Sequence, residues 1–553
     1  MPALHYRSPS RRYVFLLKTF VGLVLLLQVG LIFRADKLLL SRPYFEDTFY
    51  AMSVSRWFSE GAGFSVDGIH PTNGVQPLIC LLYTPLFGVS DGDLYLALRL
   101  TLLLQIALYC FAAWAAARFF LATSRGKVDP KLIFWLSFAL IYINYALSIQ
   151  FLNGLETGLT VGLIFVTLGE FNRREGLQDR RILPYLGVGL LLGLTILARV
   201  DAGILAVALV IWKVLTEHRR HSTKKGRARW GEFVRMVGQI GAMGVGAVLV
   251  SAPWWFYNLQ TFGSFVPISG QSQQGLSTDL TVQIVETFNV FLEGLIAGIA
   301  TPAAWRIGNI AWFGLLLLLV VGIFLAFTSD LRKLLLGRIQ GFQNDWNLRS
   351  FAPLLVTLLG LLLFYTFIFG APHFQARYLV LVTVSILLLL VALGTSLWSC
   401  STGSERGVQL IPLVPFILFT LSIVFFFRNY TNTYENMMVD TVNWMEENVA
   451  PDDRVGIFQS GTVGFLYPQN VVNLDGKVNP EAFHALEEGR LPEYVDSMKF
   501  DFIVDWQFYT DRIFRDSALR ASYRRTDTLR NFMEVWEKVE GGDASVQTQQ
   551  SGQ

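Results

Sequence analysis

Long apolar runs, separated by short polar loops, dominate the chain as far as residue 427. Most runs are about 20 residues long, which is the length that an α-helix needs to cross the hydrocarbon of a bilayer. The pattern therefore predicts a polytopic α-helical membrane protein with about eleven transmembrane helices. The predicted helices cover 14–33, 100–120, 131–150, 157–171, 182–198, 202–216, 234–252, 306–327, 351–370, 376–397 and 408–427.

Two further apolar stretches depart from this pattern. The stretch 77–89 is short and contains Pro85, which predicts an interfacial or re-entrant helix. The stretch 282–303 carries Glu286 and Glu293, and charged side chains are costly within a bilayer. We therefore place the second stretch outside the lipid.

Basic residues are concentrated in alternate loops, which predicts the orientation of the helices. With the N-terminus in the cytoplasm, the cytoplasmic loops are the basic ones, and an odd number of helices places residues 428–553 outside. We expect a multi-pass protein of the inner (plasma) membrane whose C-terminal domain is periplasmic or extracellular. The cytoplasmic basic residues are Arg118, Arg125, Lys127, Arg173, Arg174, Arg180, Arg181, Lys213, Arg219, Arg220, Lys224, Lys225, Arg227, Arg229, Arg332, Lys333, Arg338 and Arg406.

Composition agrees with a bilayer environment and excludes some classes of partner. Hydrophobic residues make up 53% of the chain and charged residues 16%, whereas about 25% is usual for soluble domains. The net charge of +3 gives no reason to expect nucleic acid as a partner. The three cysteines lie in or beside apolar segments, so no disulfide framework is indicated.

The chain changes character after residue 427. The segments 454–459, 471–474 and 500–505 have the pattern of short strands, and 435–448 and 480–488 have that of helices. This alternation predicts a small α/β domain. The sequence thus divides into a transmembrane catalytic domain (1–427, with its first outer loop at 34–99), a soluble domain (428–540) and a disordered tail (541–553).

Two adjacent carboxylates, Glu46 and Asp47, stand among aromatic residues at the start of the first outer loop. Neighbouring carboxylates in a partly desolvated place push their pKa values apart, and one of them can then serve as a general base. The pair would equally suit a solvated acidic turn or the N-terminus of a helix.

The other polar candidates also fall at the predicted outer ends of helices. His70 and Asn73 lie in a turn-rich stretch, and the other candidates lie in short loops between helices. Ordinary structural roles are open to each of them, as turn, helix cap, ion pair or interfacial anchor. An arginine on this side could instead bind the phosphate of a lipid substrate with its two-pronged guanidinium. The candidates are His70, Asn73, Glu156, Arg199, Asp201, His373, Arg377 and Tyr378.

Several motifs together resemble the GT-C glycosyltransferases. The similarity extends over nearly the whole chain and is greatest to the bacterial branch that includes protein mannosyltransferases and aminoarabinose transferases. The motifs are Glu46–Ala51, Asp67–Gly74, Asn153–Thr157, Leu197–Asp201, Pro253–Trp255, Ala376–Tyr378 and, in the tail, Trp444–Asn448, Gly461–Gly464 and Asn473–Gly476.

This resemblance implies an inverting transfer of sugar from a polyprenyl-phosphate donor to a glycan, lipid or protein acceptor on the periplasmic side. The first-loop acidic pair would supply the base, as Glu46 or Asp47. The pair is Glu-Asp here, whereas Asp-Asp or Asp-Glu is frequent in the family. Arg199 or Arg377 would contact the donor phosphate. We expect no metal-ligand cluster or cofactor motif, although the acidic pair leaves room for a divalent metal.

Two other classes of protein fit parts of the pattern. A transporter or flippase of a lipid-linked glycan should show repeated halves and polar residues near the bilayer midplane. We find no repeat, and the polar residues are at the outer ends. A non-catalytic cell-envelope assembly protein would tolerate the loss of Glu46 and Asp47.

Overall fold

The computed structural model describes most of the chain. The described residues are 11–125, 128–221, 227–274, 279–295, 345–369, 375–400, single positions between 415 and 424, 437–515, 517–529 and 533–539. They form two compact units. The first contains Met1–Phe33, Leu102–Phe256 and Leu276–Asn432, and the second contains Arg34–Thr101, Tyr257–Gly275 and Thr433–Gln553.

Helices make up almost all of the described chain before the tail. In chain order they are α1 (Arg11–Gly30), α2 (Asp36–Ser41), α3 (Glu46–Ser59), α4 (Pro77–Ser90), α5 (Leu94–Thr123), α6 (Pro130–Tyr142), α7 (Tyr145–Phe151), α8 (Thr157–Gly176), α9 (Leu183–Ala198), α10 (Gly203–His221), α11 (Arg227–Phe262), α12 (Ile268–Gln274), α13 (Leu280–Leu295), α14 (Ala352–Phe367), α15 (Gln375–Tyr378) and α16 (Val380–Cys400). Short 3₁₀ turns occupy Leu31–Phe33, Val200–Ala202 and Leu348–Phe351.

Four stretches of the described chain are long and apolar enough to cross a membrane: Arg12–Phe33, Leu94–Thr123, Trp230–Phe262 and Leu348–Phe367. The bent pair α6 and α7, with 69° between its helices, becomes a fifth if it counts as one span. The expected polytopic helical character is therefore confirmed. The number eleven stays a prediction, because 306–327 and most of 408–427 lie outside the described residues.

Glycines bring α9 and α11 of the first unit close together. A side-chain carbon on Gly189 would overlap the backbone carbonyl of Met243, and one on Gly246 would overlap that of Leu186. Close backbone approach at small residues is a usual way for apolar helices to pack in a bilayer. At the ends of α8 to α10 that the sequence places in the cytoplasm, buried Lys213 contacts Glu175 at 2.6 Å.

The tail forms a small sheet flanked by helices, as the sequence predicted. Its elements are α17 (Met437–Asn448), β1 (Val455–Ile457), α18 (Gly461–Leu466), β2 (Val471–Asn473), α19 (Pro480–Glu487), α20 (Leu491–Met498), β3 (Phe502–Trp506), α21 (Gln507–Ile513), α22 (Ser517–Ala521), β4 (Tyr523–Leu529) and β5 (Met533–Lys538). The strand order is β2-β1-β3-β5-β4. The first three strands are parallel, and β5 is antiparallel to β3 and β4.

The hairpin of β4 and β5 was not predicted from the sequence. Strand β4 reads Tyr-Arg-Arg-Thr-Asp-Thr-Leu, and its central five residues are all exposed. An edge strand of this kind lacks the alternation of apolar and polar residues that marks a half-buried strand. The compact unit that contains the sheet also includes 34–101 and 257–275. The division of the chain at residue 428 stays a prediction.

Candidate active site

The predicted site residues fall into two groups, one in each compact unit. The second unit contains Glu46, Asp47, His70 and Asn73. The first unit contains the remaining described candidates, which are Glu156, Arg199, Asp201, Arg377 and Tyr378. His373 lies outside the described residues.

Helix α3 begins at Glu46, so both carboxylates lie in its first turn, where the helix dipole favours negative charge. Both carboxylate side chains are half-buried. The residues that follow, from Thr48 to Ser55, are buried and anchor the helix within its unit. The burial of this anchor keeps the acidic pair at a defined place.

The Glu46 carboxylate binds the start of helix α18 in the tail. The Thr462 backbone N–H donates to Glu46 Oε1 at 2.9 Å, and the Thr462 hydroxyl donates to Oε2. The Gly461 N–H also donates to this carboxylate. A side-chain carbon on Gly461 would overlap the Glu46 backbone carbonyl, so the contact requires glycine. Glu46 therefore joins the first loop to the tail.

The surroundings of Glu46 also raise its pKa to about 7. Desolvation by burial is the main cause, and the negative charge of Asp47 adds to it. The hydrogen bonds from Thr462 and Gly461 act in the opposite direction. A carboxyl group with this pKa is partly protonated at neutral pH.

Asp47 interacts electrostatically with Glu46, with Tyr50 and with Lys477 of the tail. Lys477 Nζ lies 3.3 Å from Asp475 Oδ2. The negative charges of Asp475 and Asp47 raise the pKa of Lys477, which therefore carries a full positive charge. Lys477 thus forms an ion pair within the tail and also interacts electrostatically with a carboxylate of the first loop.

The carboxyl ends of the parallel strands supply the polar residues of this region. Asp475 and Lys477 follow β2, and Asp505 lies near the end of β3. Asp505 accepts hydrogen bonds from the backbone N–H groups of Phe458 at 2.7 Å and Gln459 at 3.1 Å. Burial nevertheless raises its pKa to about 7. Ligands of parallel α/β sheets bind at this edge of the sheet.

The turn that contains His70 and Asn73 packs against other parts of its own unit. His70 Nδ1 lies 2.7 Å from Asp67 Oδ2, and Asn73 Oδ1 accepts a hydrogen bond from the Ile268 N–H at 2.9 Å. A side-chain carbon on Gly74 would overlap the Lys477 carbonyl oxygen. The turn therefore holds the Lys477 loop in place. Binding of substrate by His70 or Asn73 stays a prediction.

In the first unit, Arg199 is buried with only 5% of its surface exposed, and two carboxylates surround it. Its Nε and Nη2 atoms donate to Asp201 at 3.1 and 2.8 Å, and Glu156 Oε1 lies 3.7 Å from Nε. Nη2 also donates to the Tyr365 hydroxyl at 2.8 Å, which in turn donates to Asp201. These contacts neutralise the guanidinium.

Arg377 lies close to the same group of residues but is half-buried. The Tyr365 and Tyr378 rings are stacked at 4.6 Å, with 4° between their planes. The guanidinium carbons of Arg199 and Arg377 each lie 5.0 Å from the centroid of the Tyr378 ring. Arg377 Nη2 donates to the Tyr378 hydroxyl at 3.1 Å. A pair of stacked tyrosines thus links the two arginines.

Comparison with known proteins adds the following. Residues 427–548 match a domain of unknown function (DUF8728). No curated protein matches the chain.

Among solved structures, the chain is similar to the archaeal oligosaccharyltransferase AglB from Archaeoglobus fulgidus, in complex with an inhibitory peptide and a dolichol-phosphate. The identity is 13%, the TM-score is 0.47, and the match covers 92% of this chain and 72% of that one. A second structure, the Archaeoglobus fulgidus oligosaccharyltransferase tethered with an acceptor peptide, has 12% identity and a TM-score of 0.48. The match covers 95% of this chain and 74% of that one. The functional assignment rests on the side chains described above.

The residues that the sequence reading missed are partners of those that it named. Thr462, Asp475 and Lys477 lie in or beside the tail motifs Gly461–Gly464 and Asn473–Gly476, to which the sequence alone gives no chemical role. Tyr365 lies near the end of an apolar helix, beside Thr366, and two adjacent hydroxyl groups in a predicted span are the signal that could have identified it.

The described residues contain no group of three or more His, Cys, Asp or Glu side chains placed to hold a metal ion. Both oxygens of Glu46 already accept hydrogen bonds from Thr462. The described residues thus offer no complete ligand set for a divalent cation, and we derive no step through one. A metal at the acidic pair stays a prediction.

Proposed function

We propose that the chain is a membrane glycosyltransferase that moves a sugar from a polyprenyl-phosphate donor to an acceptor hydroxyl. The observation that carries the proposal is the environment of Asp47, a half-buried carboxylate in the first turn of a helix whose following residues are buried, next to the Glu46 carboxylate. The membrane-spanning helices suit a lipid-linked donor. The motif resemblance to the GT-C enzymes, and within them to the mannosyltransferase-like branch, points to the same chemistry.

Asp47 is the better candidate for the base. Glu46 already accepts three hydrogen bonds from the tail, and its raised pKa leaves it partly protonated at neutral pH. Asp47 interacts electrostatically with Lys477, and its negative charge contributes to the raised pKa of Glu46. A general base must be ionised and within reach of the hydroxyl that it deprotonates.

Arg377 is the better candidate for the donor phosphate. Arg199 is buried and already paired with Asp201 and Glu156, so binding a phosphate there would require an existing ion pair to break. Arg377 is half-buried and rests on the Tyr378 ring. A guanidinium presents a planar set of N–H donors that matches the oxygens of a phosphate.

The proposed reaction is a direct displacement. Asp47 accepts the proton of the acceptor hydroxyl as its oxygen forms a bond to the anomeric carbon of the sugar. The bond from that carbon to the phosphate oxygen breaks, and the polyprenyl phosphate leaves with the electron pair. Arg377 stabilises the negative charge that develops on the phosphate. A single displacement inverts the anomeric configuration.

A second candidate function is that of a non-catalytic assembly protein. The contact of Glu46 with Thr462 favours it, because part of the acidic pair serves to hold the tail against the first loop. Under this alternative, Thr462→Val should abolish the cellular function, whereas Asp47→Asn should preserve it. The glycosyltransferase proposal predicts that Asp47→Asn abolishes it.

The direct test of the proposal uses the purified full-length protein with a panel of polyprenyl-phosphate sugars and candidate acceptors. We expect at least one donor to be consumed, with release of polyprenyl phosphate and transfer of the sugar. The proposal would be contradicted if the wild-type protein consumed every donor no faster than the Asp47→Asn variant does.

The proposed location of the reaction is the periplasmic face of the inner membrane. A reporter that is active only outside the cytoplasm should be active when fused after Tyr430 and silent when fused near Lys224. The charge asymmetry of the loops is the basis of this expectation. The reverse pattern of activity would place the tail in the cytoplasm and overturn it.

A further inference from the structure

A groove lies between helices α5 and α6 of the first unit, near the short loop that joins them. Its empty volume, which is open to the surroundings, is about 640 Å³. Six residues separate Thr123, where α5 ends, from Pro130, where α6 begins. A loop of this length reaches at most about 25 Å, which is less than the roughly 30 Å of hydrocarbon in a bilayer. Both helix ends, and the groove between them, therefore lie at the same boundary of the membrane.

The walls of the groove are aromatic and apolar. Leu121 and Trp114 of α5 line one side, and Trp114 is 45% exposed. Phe134 and Trp135 of α6 line the other, with their ring centroids 5.5 Å apart. Tryptophan is enriched where the hydrocarbon of a bilayer meets its head groups. These walls therefore suit the upper part of an acyl chain.

Two exposed cations, Arg118 of α5 and Lys131 of α6, line the same groove. Lys18 of α1 adds a third positive charge, because its Nζ lies 4.9 Å from the centroid of the Trp135 ring. Asp129, two residues before Lys131, caps α6 by accepting a hydrogen bond from the Lys131 backbone N–H at 2.9 Å. Three positive charges and one negative charge give this region a net positive charge.

Other basic residues that the sequence places on this side of the membrane are paired with carboxylates. Arg173 contacts Glu170 at 2.7 Å, and Lys213 contacts Glu175 at 2.6 Å. Within the part of the chain that the structure describes, the two cations that line the groove form no such ion pair. Their charges are thus available to an anion from outside the chain.

We infer that this groove binds an anionic phospholipid. Arg118 and Lys131 hold the phosphate of its head group, and the acyl chains lie against Trp114, Leu121 and Phe134. Arginine offers a planar set of donors for phosphate oxygens, and lysine adds a point charge. Basic pockets between transmembrane helices are usual sites for acidic head groups. A lipid fits better than a free anion, because only a lipid also covers the apolar walls.

The test measures lipid binding to the full-length protein, purified in a neutral detergent and stripped of lipid. Native mass spectrometry gives the dissociation constants of phosphatidylglycerol and of phosphatidylcholine with the same acyl chains. The wild type should bind phosphatidylglycerol about tenfold or more tightly than phosphatidylcholine. Arg118→Gln and Lys131→Gln should each weaken phosphatidylglycerol binding by about fivefold, and the double variant by about 30-fold. Binding of phosphatidylcholine should change little.

The matched control is the double variant Arg173→Gln with Arg180→Gln. Both of these arginines are exposed, and their loss changes the net charge by the same amount on the same predicted side of the membrane. The control should bind phosphatidylglycerol as the wild type does. Equal affinity of the wild type for the two lipids would overturn the inference, and so would an equal loss of affinity in the control and in the groove variant.

Thermal unfolding separates a lipid site from a site for free phosphate. Phosphatidylglycerol should raise the midpoint of the wild type more than phosphatidylcholine does, and inorganic phosphate at the same concentration should leave it unchanged. Arg118→Lys, which keeps the charge, should preserve most of this difference, and Arg118→Gln with Lys131→Gln should remove it. An equal rise with inorganic phosphate would overturn the inference. None of these residues has a part in the proposed transfer, so the outcome does not depend on the proposed function.

Discussion

The two groups of charged residues differ in how completely their charges are balanced. Around Arg199, two carboxylates and a tyrosine hydroxyl surround a buried guanidinium. Around Asp47, the carboxylates of Glu46, Asp475 and Asp505 share the region with Lys477. With Arg377 close by, the first group has two positive and two negative charges, whereas negative charge is in excess in the second.

This difference separates structural from chemical roles. A neutralised ion pair in a buried place chiefly maintains the arrangement of its helices, and its loss leaves an uncompensated charge. A region with excess negative charge contains carboxyl groups with displaced pKa values, which is where acid–base chemistry is usually found. We therefore propose a supporting role for Arg199 and a catalytic role for Asp47.

The largest expected effect is on turnover in Asp47→Asn. This change keeps the size of the side chain but removes its charge, and a general base contributes about 10²–10⁴-fold to the rate. Glu46→Gln should reduce turnover far less, because the amide oxygen can still accept the hydrogen bond from the Thr462 N–H, and the amide NH2 can donate to the Thr462 hydroxyl. Asp511→Asn, at an exposed site of the tail, is the control and should be silent.

Reversal of this order, with Glu46→Gln the more damaging change to kcat in folded protein, would exchange the roles of the two carboxylates. The measurement is steady-state transfer from a fixed donor. The thermal unfolding of each variant must be recorded to exclude loss of fold.

The second-largest expected effect concerns the two arginines, because variants of Arg377 and Arg199 should differ in their effects. Arg377→Ala should lower kcat by about 10²–10³-fold, as removal of one group that stabilises a developing oxyanion commonly does. Arg377→Lys should be intermediate, because lysine keeps the charge but loses the two-pronged geometry. Wild-type turnover and donor affinity in Arg377→Ala would end its assignment to the phosphate.

Arg199→Ala should act mainly on stability. Removal of one partner from a buried ion pair commonly costs about 3–5 kcal/mol, so the midpoint of thermal unfolding and the yield from membranes should both fall. The fraction that remains folded should bind donor with unchanged affinity. Stable Arg199→Ala protein with lost donor binding would make Arg199 the phosphate ligand instead.

Much of the arginine group could be predicted from the sequence, and the reason is local spacing. Arg199 and Asp201 are two residues apart in one turn, and Arg377 and Tyr378 are adjacent. Charged residues at the ends of apolar helices are conspicuous because they are costly there. Tyr365 is the partner that this reasoning did not name.

Only part of the acidic group could be predicted from the sequence. Glu46 and Asp47 stand out as neighbours, but Thr462 lies 416 residues further along the chain. Its pairing with Glu46 depends on how the tail folds on the first loop, which local pattern does not encode. In the sequence, Lys477 has the features of an ordinary surface lysine. Its packing against Gly74 and its ion pair with Asp475 are visible only in the fold.

A smaller effect concerns pH and the fold of the tail. The pKa of Asp505 rises from its ordinary 3.8 to about 7 in the folded protein, so the folded state binds this proton more tightly than the unfolded state. The contribution to stability is therefore fully present below about pH 4 and is lost as the pH rises towards 7. Glu46 should contribute in the same direction.

Asp505→Asn should remove part of this dependence. Thermal unfolding of the full-length protein between pH 4 and 7 should show a smaller decline in the midpoint for the variant than for the wild type. An unchanged slope would show that Asp505 ionises at its ordinary pKa in the folded protein.

The most direct test of the central claim is the anomeric configuration of the product formed from a polyprenyl-phosphate sugar of known configuration. Nuclear magnetic resonance of the product made by the purified protein measures it. The account predicts inversion with the wild type and almost no product with Asp47→Asn. A product with retained configuration, or one that Asp47→Asn forms at the wild-type rate, would contradict it.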